Sequence, residues 1–140
     1  MPDLTNEQVE AFFDREGLIF RAHPKLQGVW ELSFRLQTST FTIFIDNGTA
    51  NRHFLTVNLI YLRPQANHQR VYQELLKKTG NVVFSKFVLD AQGDISIRAV
   101  VLRDEQFSPL EKLKQVIGAV LQSADLWYVE MLNMATETKS

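Results

Sequence analysis

Residues 82–89 and 95–102 read as two consecutive strands with apolar side chains on both faces, and a long amphipathic helix opens directly after them at Ser108. Alternate side chains of a strand point to opposite sides, so Val82, Phe84 and Val88 face one way and Val83, Phe87 and Leu89 the other. A small protein covers one such face easily. Covering both requires helices on each side or a second subunit, which marks the hairpin as a candidate binding or dimerisation surface.

The remaining pattern supplies the layers. Leu4-Thr5-Asn6-Glu7-Gln8-Val9 predicts a helix start in which Thr5 caps, Gln8 closes a capping box and Leu4 staples to Val9. That helix runs to about Glu16, with Gly17 as its stop. Residues 18–20 are ambiguous. From 29 to 37 the alternation is strict, with Trp30, Leu32, Phe34 and Leu36 opposite Glu31, Ser33, Arg35 and Gln37. Phe41, Ile43 and Ile45 repeat it, Asp46-Asn47-Gly48 signals a turn, and Leu55, Val57, Leu59 and Tyr61 form a third strand. A helix over 66–79 follows, then the hairpin, whose turn is Asp90-Ala91-Gln92-Gly93-Asp94. Ser108-Pro109-Leu110-Glu111 places a capping serine and a first-turn proline before the last helix. The expectation is an α+β fold, α-βββ-α-ββ-α, with a five-stranded, mainly antiparallel sheet packed against helices. At 140 residues it forms one domain over 1–135, with a flexible polar tail at 136–140.

This element order, the stretch Phe84-Ser85-Lys86-Phe87-Val88-Leu89-Asp90-Ala91-Gln92-Gly93-Asp94-Ile95 and the helix over 108–131 resemble the YbjN family of small bacterial proteins. The resemblance spans nearly the whole chain and rests on a diffuse hairpin signature, not on a catalytic motif. It implies a fold like that of type III secretion chaperones, dimerisation, and a role in sensory transduction regulation through interaction, without catalysis. It transfers no residue roles.

The residues themselves show no recognisable chemistry. His23, His53 and His68 lie thirty and fifteen positions apart in loops or at element ends, without the spacing of a helical metal site. No serine sits in a nucleophile elbow, the pairs Asp14/Glu16 and Asp104/Glu105 do not face each other on a helix, and no glycine-rich phosphate loop can be drawn. The turn carrying Asp90 and Asp94 falls far short of a calcium loop. No enzyme activity, cofactor or metal is expected. Absence of cysteine fits a reducing compartment, and the N-terminus lacks a signal-peptide pattern, so a cytoplasmic protein without a membrane span is expected. A net charge of -1 argues against nucleic acid as the main partner.

Charge is unevenly distributed. The first helix is acidic through Glu7, Glu10, Asp14 and Glu16, whereas Arg63, Arg70, Lys77 and Lys78 make the second basic, with Arg63, Arg70 and Lys77 recurring every seven residues. The expected partner or dimer interface is therefore Val83, Phe87, Val100 and Leu102, with Arg70 and Lys77 selecting acidic flanks of an unidentified protein partner. Trp127 and Tyr128 continue the period of the last helix and read as core. The rival expectation is a small-molecule-binding sensory domain with an apolar pocket between sheet and helices, near Trp30, Phe34 and Trp127.

Overall fold

The structure is a computed structural model that describes residues 4–82 and 84–137. Its first helix, α1 (Asn6–Arg15), opens on the capping box expected from sequence: the Gln8 backbone N–H donates to Thr5 Oγ1 at 3.1 Å, and the Thr5 N–H donates to Gln8 Oε1 at 2.7 Å. Val9, Phe12 and Phe13 form its buried side. Gly17 then takes a φ of +70°, a left-handed turn that releases the chain toward the sheet.

Among the described residues the sheet has six strands, not five: β1 (Phe20–Ala22), β2 (Val29–Arg35), β3 (Thr40–Asn47), β4 (Phe54–Leu62), β5 (Lys86–Leu89) and β6 (Ile95–Leu102). They run in the order β1-β2-β3-β4-β6-β5, and every neighbouring pair is antiparallel. The extra strand begins at Phe20, the last residue of the ambiguous stretch 18–20, and continues through Ala22. Phe20-Arg21-Ala22 is too short to display a period, and it becomes a strand by pairing with Leu32, Glu31 and Trp30 of β2. The expected strand over 82–89 is shortened to four residues. A 3-10 turn at Thr79–Asn81 follows the second helix, and Phe84 adopts a φ of +60°, which interrupts extended backbone before Lys86.

All three α-helices of the described residues cover one face. α1 buries Phe13 against Trp30, ring edge to ring face at 5.6 Å and 83°. The second helix, α2 (His68–Lys78), brings Leu75 into the same cluster, and α3 (Pro109–Thr136) sets Tyr128 edge-on to Phe41 at 5.0 Å. Trp30, Leu32, Phe41, Ile43, Ile45, Leu55, Val57, Leu59, Ile97 and Val101 supply the sheet side of this core. The apolar burial drives the layering at roughly 25 cal/mol per Å². α3 includes Thr136, which sequence reading assigned to a tail. No helix of the described residues is long and apolar enough to cross a membrane.

Ser108 does not cap α3 with its side chain. It sits at a left-handed φ of +51° and makes no side-chain cap hydrogen bond; its backbone N–H instead donates to Glu105 O, ending a 3-10 turn (Glu105–Phe107) that Asp104 caps. The left-handed turn places Pro109 correctly, and the hydroxyl is incidental. Ser108→Gly should therefore raise stability by up to about 1 kcal/mol in urea unfolding, where loss of a true capping serine would lower it.

Tyr61 carries the one buried side-chain polar atom without a hydrogen-bond partner among the described residues, its hydroxyl. The ring lies among Phe41, Tyr128 and Phe87. Burial, then the charges of Tyr128, Glu130 and Asp125, push the phenol well above its ordinary value of 10.0. The unfolded chain ionises Tyr61 near that ordinary value while the folded chain keeps it protonated. Stability is thus fully present below about pH 10 and falls as pH rises beyond it. Tyr61→Phe should raise stability at neutral pH by about 1 kcal/mol and flatten this alkaline decline, both read from denaturant midpoints.

Candidate functional site

Among the described residues the second face of the sheet carries no helix. Period-two geometry places on it Glu31, Phe44, Asn58, Arg98 and Lys86, which the strand register aligns as one row across the sheet, continued outward by Arg21. Val100 lies in the next row opposite Thr56, and Leu102 beyond it opposite Phe54. Val100 is 53% exposed and Leu102 43%, so these two apolar side chains of β6, a strand flanked on both sides by β4 and β5, stand in water.

A groove of about 810 Å³ occupies this face, walled by Phe44, Phe54, Phe84 and Val100, with Arg98 and Lys86 along it. The loop between β1 and β2 closes one end through His23, whose Nδ1 accepts the backbone N–H groups of Lys25 and Leu26, both at 3.1 Å. His23 is thus a turn residue. Asp46 is bound into the β3–β4 turn, accepting from the Thr49 N–H at 2.7 Å and from its hydroxyl at 2.5 Å. Glu31 is paired with Arg21. Arg98 is half-buried, and its Nε–H donates to Asn58 Oδ1 at 3.2 Å.

The residues expected to form one interface are separated. Val100 and Leu102 lie on the open face, but Phe87 pairs with Ile97 and so points to the covered one, 5.9 Å from the Tyr61 ring and 6.4 Å from Trp127. Val83 lies outside the described residues. Arg70 and Lys77 are exposed on α2, in the helical layer, and Lys77 is paired with Glu74 at 3.3 Å. Lys78, also of α2, bridges Glu74 and Glu130 and sits 5.7 Å over the Trp127 ring. Phe87 instead borders a cleft of about 290 Å³ between α2 and β5, with Tyr72, Leu76 and Leu89.

The pocket expected near Trp30, Phe34 and Trp127 is filled by side chains. Trp30 is buried with its indole N–H donating to Glu10 at 2.8 Å, and Phe34 and Trp127 pack on the core. Among the described residues no group of three or more His, Cys, Asp or Glu could hold a metal ion. Asp90 spends Oδ1 on the N–H groups of Gln92 and Asp94, and Asp94 pairs with Arg63 at 2.9 Å.

Sequence reading missed the Arg98–Lys86 pair, which belongs to no local motif. The signal was in the turn: counting outward from Gln92 pairs Leu89 with Ile95 and hence Lys86 with Arg98, as the register has it.

Fold and face together define a two-layer α+β protein: helices on one side of an antiparallel sheet, the other side open. The chain belongs to the YbjN family, whose model, described as "Putative bacterial sensory transduction regulator", matches residues 5–133. A similar solved structure is that of YbjN from E. coli, described as "a putative transcription regulator"; it is 14% identical, with a TM-score of 0.65 over 90% of this chain and 89% of that one. At that identity the likeness speaks to fold alone. No curated protein matches the chain.

Proposed function

We propose that this protein is a non-enzymatic regulator that works by binding protein, as a homodimer that docks partner segments through the open sheet face. The observation that carries this reading is the exposure of Val100 and Leu102 on β6, a strand paired on both sides in a sheet whose other face is used by the core. Exposed apolar side chains grouped on one face are the usual mark of an interaction surface. Each one covered by a partner contributes about 1.5 to 3 kcal/mol, and twofold symmetry doubles the set. The family description, a sensory transduction regulator, agrees with action through binding.

Phe87 takes a supporting part in this proposal, propping β5 from beneath through Tyr61 and Trp127. Arg70 and Lys77 would meet acidic flanks of a partner that reaches past the β5 edge onto α2. The reading is tested by Leu102→Asp, which alters an exposed position and leaves the core intact. The variant should keep its fold by circular dichroism and lose self-association. A folded variant that associates as the parent does would remove Leu102 from the interface.

A further inference from the structure

We propose that the groove on the open sheet face is a binding site for a small organic anion, its charged group held between Arg98 and Lys86 and its apolar or aromatic body lying against Phe44, Phe54 and Val100. Arg98 and Lys86 are direct cross-strand partners on this face. Like charges in that position repel. Among the described residues neither has a carboxylate at ion-pair distance, and the acids nearest along the sheet face are otherwise engaged, Glu31 with Arg21 and Asp46 with Thr49. Arg98 is also half-buried, with its Nε–H committed to Asn58 and four further guanidinium N–H donors. A partly desolvated cation beside a second cation, with no counter-charge, gains most from an anion supplied from outside.

The walls define the rest of the ligand. A groove of about 810 Å³ is in the range that holds a small molecule, and its lining combines apolar walls such as Phe44, Phe54 and Val100 with polar side chains. Phe84 closes it from the strand entry at a φ of +60°, a strained conformation for a bulky side chain of the kind that clusters at ligand sites. Glu31 and Asp46 on the same face disfavour a polyanion that would run along the sheet, so one compact negative group fits best. The site goes beyond the protein-docking reading: it shares Val100 with the docking surface but does not include Leu102, which is not part of the groove lining.

The test titrates 4-phenylbutyrate into nitrogen-15-labelled protein, with the neutral 4-phenylbutanamide as matched control. The expected result is saturable shifts at Phe44, Phe54, Val100 and the Arg98 side-chain N–H, with millimolar affinity, and at least about tenfold weaker binding of the amide. Arg98→Met and Lys86→Met, the latter at an exposed position, should each weaken the carboxylate about tenfold while leaving the remaining amide spectrum in place. Leu102→Asp, which frees the face of a second copy, should still bind the carboxylate in the groove, so binding by this variant separates failure of this site from failure of the docking surface. Equal binding of acid and amide, shifts confined to the cleft between α2 and β5, no saturable shift, or stronger occupation of the groove by oligothymidylate would each overturn the proposal.

Discussion

Trp30→Ala is expected to destabilise the protein by about 4 kcal/mol, the largest effect of any single change considered. Trp30 is 2% exposed, near the start of β2, with Phe13 of α1 against its ring at 5.6 Å and Phe13 in turn 5.0 Å from Phe20 of β1. Its removal empties the space that joins α1 to the sheet and also leaves Glu10 without the indole N–H it accepts at 2.8 Å. The loss is a large share of the roughly 5 to 15 kcal/mol by which such proteins are stable. Thermal unfolding should fall by some 15 °C, on the usual scale of about 4 °C per kcal/mol for a chain of this size. Trp30→Phe, which keeps most of the volume and gives up the hydrogen bond, should lose only about 1 to 2 kcal/mol. Urea midpoints of the two variants, compared at equal slope, separate packing from hydrogen bonding.

Asn47→Leu should cost about 3 kcal/mol, although leucine is close in size and more apolar. Asn47 is buried at the end of β3 and connects four segments. Its Nδ2 donates to Leu4 O at 3.2 Å and Asn6 Oδ1 at 2.9 Å, while its Oδ1 accepts the Arg103 Nε–H at 2.8 Å. Arg103 goes on to donate from Nη2 to Leu4 O at 2.9 Å and from Nη1 to Arg52 O at 2.6 Å. Leucine cannot accept from the guanidinium, so a desolvated charge loses a partner, and the strap from Leu4 to α1 loses an anchor. The next residue enforces the same arrangement: a Cβ at Gly48, where φ is +88°, would meet the Arg103 guanidinium at 2.8 Å. Asn47→Asp, which keeps an acceptor for Arg103, should recover part of the loss. Chemical denaturation at neutral pH gives both values.

The layered fold was legible wherever a local rule acted alone. The Thr5–Gln8 capping box, the alternation of Trp30, Leu32 and Phe34, and the period of Leu113, Ile117, Val120 and Ala124 each specify an element without reference to the rest of the chain. Elements defined by a neighbour were not legible. β1 exists because Phe20 to Ala22 lie beside β2, and β5 starts at Lys86 because Phe84 turns left-handed. Ser108 shows that a capping residue type in the right place can serve a turn through its backbone instead.

The same distinction holds for the site. Val100 and Leu102 were legible as second-face residues because β6 alternates on both sides. Their separation from Phe87 follows from pairing register, which sets Phe87 beside Ile97 on the covered side. The Arg98–Lys86 pair is likewise a product of register. Neither cation stands out in its own strand, and only their meeting across β5 and β6, without a carboxylate between them, gives the open face its charge character.

The proposed docking of a second copy on this open face is tested most directly by light-scattering mass measurement of the parent chain alongside Leu102→Asp. Such docking gives twice the chain mass for the parent, falling to one chain mass in a variant whose circular dichroism is unchanged. A parent of one chain mass at all concentrations, or a folded variant that keeps twice the chain mass, would contradict it.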